Sequence, residues 1–105
     1  MTIRDKIATR TLLAVDSNGQ EFCLTLGIGQ PYESSPNEWA CPLCMDGLHK
    51  RLVDQRGVDS WQALQLAYQL IMQLLVHFVE GGGQLYWMES REPMTLSQLL
   101  PYLKT

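Results

Sequence analysis

Apolar and polar residues alternate through the first part of the chain. Ile7, Thr9, Thr11, Leu13 and Val15 interleave with Ala8, Arg10, Leu12 and Ala14. That two-residue period sends successive side chains to opposite faces of a strand. Asp16-Ser17-Asn18-Gly19 follows, and Asn-Gly tolerates positive φ at both positions, which predicts a hairpin. Phe22, Leu24, Leu26 and Ile28 then alternate with Glu21, Cys23, Thr25 and Gly27. They predict a second strand, antiparallel to the first, with one apolar face. Gly29 to Asn37 holds two prolines and two serines and reads as a loop. A third strand is expected over Glu38 to Met45, with Trp39, Cys41, Leu43 and Met45 on one face. Pro42 lies inside it and cannot donate a ladder hydrogen bond, so the strand is at an edge or bulged there. Asp46-Gly47 is a second turn signal, and a fourth strand over Leu48 to Gln55 is suggested by a weaker alternation.

The period changes after Gly57-Val58-Asp59. Asp59 with Gln62 fits a capping box, in which the carboxylate takes an amide proton of the first turn and the Gln side chain reaches back. A helix is predicted from Ser60 to about Val79, ended by Gly81-Gly82-Gly83. Gln84 to Met88 reads as a last strand. Thr95 to Gln98 is another capping box, opening a short helix that Pro101 ends or kinks. The order is β-β-β-(β)-α-β-α. It predicts one α+β domain over residues 1–105: an antiparallel sheet of four to five strands, one long helix across one face and a short C-terminal helix.

The long helix carries its polar positions, Gln62, Gln65, Gln69, Gln73 and His77, in one narrow stripe, and Ser60 to Val79 holds no Asp, Glu, Lys or Arg. A surface helix normally shows a broad charged face. Either the terminal helix and loops cover its flanks, or a partner or second copy does. The length would span a bilayer, but the amides inside it are costly in lipid, so the expectation is no membrane span.

Composition narrows the function classes. Charged residues make up 18% of the 105 residues and the net charge is −3. The eight Lys and Arg residues are scattered apart from Lys50-Arg51, so no nucleic-acid footprint is read. Three cysteines and a polar start, with no apolar run like a secretory leader, predict reduced thiols and a cytoplasmic location.

Candidate chemistry is sparse. Cys41-Pro42-Leu43-Cys44 is a Cys-x-x-Cys, and Cys23 and His49 complete a possible zinc set. Positions 41 and 44 of a regular strand face opposite ways, so that set needs a knuckle at Pro42. Neither His49 nor His77 has a sequence-local catalytic partner. The expectation is no enzyme and no cofactor. Trp61, in the first helical turn, and Tyr32, in the Pro/Ser-rich loop, are the aromatics expected to be exposed; with Gln65 and Gln69 they form the candidate partner-binding set.

Two resemblances bear on function. Gly57-Val58-Asp59-Ser60-Trp61-Gln62-Ala63-Leu64-Gln65-Leu66 resembles the Gly-x-Asp-Ser-x-x-Ala-x-x-Leu site of acyl and peptidyl carrier proteins, which implies phosphopantetheine on Ser60. The chain departs from that family upstream, where strand periodicity replaces the carriers' helix. The wider arrangement is the strand pair, Gly29-Gln30-Pro31, Trp39-Ala40-Cys41 and the helix start from Gly57 to Ala67. It is similar to a family of short bacterial proteins of unknown function, in style like immunity proteins that block a toxin. The absent catalytic set, the low charge and the thinly dressed long helix together give the expectation of a non-enzymatic binding protein, either a toxin inhibitor or a small homodimeric adaptor.

Overall fold

The structure is a computed structural model, and it describes residues 6–99. The alternating segments form β1 (Lys6–Val15) and β2 (Glu21–Gly29), paired antiparallel with Leu12 opposite Leu24 and Ala14 opposite Phe22. This register decides which row of β1 is the core row. Both rows end in apolar residues, but Leu12 and Ala14 share the buried face with Leu24 and Leu26. Thr9 and Thr11 therefore look outward, and a bulge between Lys6 and Ala8 interrupts the alternation at Ile7. The connection uses positive φ at Gly19 alone, not at Asn18. Asp16 Oδ1 accepts from the amides of Asn18 and Gln20, each at 2.9 Å, and Gly19 N donates to Asp16 O at 2.9 Å. The aspartate organises a turn one residue longer than the two-residue hairpin that Asn-Gly suggests.

The Pro/Ser-rich stretch is not all loop. It contains β3 (Tyr32–Ser35), which pairs with β4 (Glu38–Cys41). The single strand expected from Glu38 to Met45 is broken at Pro42. β4 joins one sheet and β5 (Leu43–Asp46) joins another. Proline cannot continue a ladder, and here its carbonyl instead accepts from Gly29 N at 2.9 Å. The strand suggested over Leu48 to Gln55 does not form, since its alternation is too poor to hold a ladder: that stretch carries only the isolated bridge of His49 to Met45, and β6 (Gln55–Gly57) begins at its last residue.

The helix α1 runs over Ser60–Glu80. Its C-terminal stop is a Schellman arrangement, with Gly83 N bonded to Phe78 O at 2.9 Å and Gly82 N to Val79 O at 3.0 Å. Gly83 must be small, since a Cβ there would come 2.4 Å from the Phe78 ring. Then follow β7 (Gln84–Trp87), β8 (Pro93–Met94) and α2 (Leu96–Leu99). The second capping box is closed in both directions: Gln98 N donates to Thr95 Oγ1 at 3.3 Å, and Thr95 N to Gln98 Oε1 at 3.0 Å. Pro101 lies outside the described residues.

The architecture is α+β. A five-stranded antiparallel sheet has the order β5-β2-β1-β7-β8, and a three-stranded one the order β3-β4-β6. α1 lies across one face of the larger sheet. Ala63, Ala67, Ile71 and Leu75 form its buried line against Leu12, Leu24, Leu26, Met45 and Leu85. The small side chains at 63 and 67 let the helix approach closely. Gln62, Gln65, Gln69, Gln73 and His77 are all exposed, as the stripe predicted. By length and composition alone α1 is long and apolar enough to cross a membrane.

Candidate functional site

The start of α1 lines an open surface groove. Asp59, in extended backbone, caps the helix by accepting from Gln62 N at 2.8 Å. The Gln62 side chain reaches past the cap and accepts from Val58 N at 2.8 Å. Gly57 lets β6 run tight against this first turn, because a Cβ there would meet Ala63 N at 2.7 Å. The helix start is thus fixed on the smaller sheet, and Ser60, Trp61, Leu64 and Gln65 form one wall of a groove of about 430 Å³.

The opposite wall is Gln30, Pro31 and Trp39. The Gly29-Gln30-Pro31 turn is held at both backbone groups of Gly29. Its N–H goes to Pro42 O, and its carbonyl accepts from Cys41 Sγ at 3.5 Å. Trp39 sits on β4 opposite Gly57 and packs its inner edge on the core. No lining side chain carries a charge. The groove therefore offers two indoles, a proline ring and two primary amides, a chemistry suited to stacking and amide hydrogen bonds. Trp61 is 74% exposed, an unusual position for a large indole.

The candidate partner-binding residues are partly brought together. Trp61 and Gln65 share the groove, and Gln69 continues the exposed stripe one turn on. Tyr32 is 42% exposed but stands elsewhere. The register aligns it with Ala40 and Arg56, on the face of the small sheet opposite Trp39. Its hydroxyl donates to Asp54 Oδ2 at 2.5 Å, and that bond raises its pKa. Beside it Glu38 accepts from Ser34 Oγ at 2.8 Å and pairs with Arg56 at 3.0 Å. These bonds, Ser34 first, hold its carboxyl below its ordinary range. Sequence reasoning about binding residues missed Trp39, Gln30 and Pro31. The available signal was their place in the segments that carry the family resemblance, which converge on this groove.

The four zinc-type residues are not brought together. Cys41 is buried in the core layer, Cys44 is covered on the outer face of the large sheet against Gly27, and Cys23 is exposed on that same outer face. Among the described residues no group of three or more His, Cys, Asp or Glu side chains lies together as a metal site. Burial pushes the Cys41 thiol up to about 11 and also raises that of Cys44, opposite to what a redox-active thiolate needs. Ser60 is exposed on the groove, but the element before it is a strand, β6, so the carrier resemblance is confined to the helix start.

A family profile described as a domain of unknown function, DUF6968, matches residues 8–96. The chain belongs to this family. Neither the curated proteins nor the solved structures contain a match to it. The matched span includes both walls of the groove and all of α1.

Proposed function

We propose that this DUF6968 chain is a non-enzymatic protein-binding domain that seats a partner in the Trp39–Trp61 groove and along the adjoining Gln65–Gln69 stripe. The observation carrying this reading is Trp61, exposed on a capped helix start and sharing an uncharged groove with a second indole, Trp39. Indoles in such positions supply large, rigid contact area, and truncating one costs about 2 kcal/mol or more at a binding hot spot. Inhibition of a cognate toxin by covering its site is one specific form of this proposal, and a homodimeric adaptor is another.

The test is native mass spectrometry of protein purified gently from its own host, wild type beside Trp61→Ala. The expected result is a stoichiometric protein complex, heteromeric or homodimeric, that Trp61→Ala loses while keeping the wild-type melting temperature. A complex that survives Trp61→Ala unchanged overturns the groove as its seat. The same spectra weigh the competing carrier reading, which the exposed position of Ser60 favours: added phosphopantetheine mass on Ser60 would replace the binding proposal.

A further inference from the structure

β1 pairs with β2 from Ala8 to Val15 and, across a bulge at Ile7, at Lys6, but it pairs with β7 only at Leu12–Val15. From Lys6 to Thr11 its other edge pairs with no strand among the described residues, and all six residues are exposed. Such an edge presents a row of backbone N–H and C=O groups ready to take another strand. Two further features lie at the same place. An open apolar cavity of about 190 Å³ is lined by Ala8, Arg10, Leu26, Ile28, Ile71 and Leu99, between this stretch and α1. Apolar cavities of ~150 Å³ hold one benzene ring, so this one suits a single aliphatic or aromatic side chain. The Arg10 guanidinium stands at its rim, 5.4 Å from the centre of the Trp87 ring.

We infer that the Lys6–Thr11 edge of β1 is a strand-addition site for an extended acidic segment of another protein. One apolar side chain of that segment enters the cavity, and a carboxylate two residues away meets Arg10. Charge decides the partner. The edge carries Lys6 and Arg10 and no acid, and none of the cavity residues is acidic. A second copy of β1 would bring like charges together, whereas Asp or Glu gives a charge-assisted pair with a guanidinium already oriented by its indole. On the incoming strand, residues i and i+2 share a face. Leu and Glu at that spacing would both point inward, with β-branched residues outward beside Thr9 and Thr11.

The probe is the acetylated, amidated peptide TEVLTEV, titrated into isotope-labelled protein and followed by amide chemical shifts. Expected are shifts concentrated on Lys6 to Thr11, affinity about tenfold weaker for TKVLTKV, and clear weakening for TEVATEV. Arg10→Glu, an exposed position, should reverse the preference between the Glu and Lys peptides. The inference is overturned by no shifts on β1 at millimolar peptide, by equal affinity for the Glu and Lys peptides, or by shifts centred on Trp61. Concentration-dependent β1 shifts without peptide would also overturn it, by giving the edge to a second copy. Trp61→Ala should leave the titration unchanged, so this site and the groove stand or fall separately.

Discussion

The two faces of the five-stranded sheet share every strand and every backbone hydrogen bond, yet differ almost completely in what they carry. The inner face presents Leu12, Ala14, Leu24 and Leu26 to α1, and all are buried. The outer face presents Thr9, Thr11, Thr25 and Cys23 beside the buried Leu13 and Cys44; Thr11 and Thr25 share a hydroxyl hydrogen bond at 3.3 Å, and no helix lies over them among the described residues. The pleat produces the alternation, but a second layer turns one face into a core. Neighbours on β1 make the sharpest contrast. Leu12→Ala should cost about 2–5 kcal/mol through lost burial and a cavity. Thr11→Ala should cost about 1 kcal/mol or less. Urea denaturation of both variants reads the difference as a shift in midpoint. Equal losses would mean that something in solution covers the outer face as α1 covers the inner one.

The contrast also depends on α1 staying in place, and Asp59 caps its first turn while Gln62 reaches back to Val58. Asp59→Ala removes the acceptor for Gln62 N and should cost about 1 kcal/mol, while Asp59→Asn keeps an acceptor and most of the stability. The effect should be smaller than that of Leu12→Ala, because packing rather than the cap supplies most of the helix's stability. If the Ala and Asn variants melt alike, the cap is dispensable and the contact of Gly57 with the helix start sets its position alone.

Much of this layering was legible in the residues. The 3.6-residue spacing of Ala63, Ala67, Ile71 and Leu75 against a glutamine stripe gave the helix and its inward side. The glycine run and both capping boxes gave its limits and α2. Three features were not legible, each for a physical reason. Leu12-Leu13-Ala14-Val15 is apolar in both rows, so only the pairing of Leu12 with Leu24 selects the inner row. Pro42 announced a disturbed strand, but a local rule does not say that the pieces enter different sheets. Of the candidate binding residues, Trp61 and Gln65 could be placed because helical spacing is regular. Tyr32 could not, because its facing depends on a short strand inside a Pro/Ser-rich segment, and Trp39 joins the groove only through tertiary packing.

The cysteines carry the comparison of faces into chemistry. Cys41 is fully buried in the core layer, whereas Cys23 lies open on the outer face. Burial, with the Asp54 charge second, raises the Cys41 thiol from 9.0 to about 11. The folded protein therefore holds the neutral thiol in a range where the unfolded chain has released the proton. The sign follows: this contribution to stability is complete below about pH 9 and is lost as pH rises from 9 toward 11. Cys44, also raised by burial, adds a decline of the same sign. Cys41→Ala should flatten the alkaline fall in urea midpoint, whatever it costs at neutral pH. Iodoacetamide at pH 8 should label Cys23 in the native protein and all three cysteines in urea. Native labelling of Cys41 as fast as Cys23 would show the layer between sheet and helix opening on the timescale of the reaction, and the inner face would then be closed only on average.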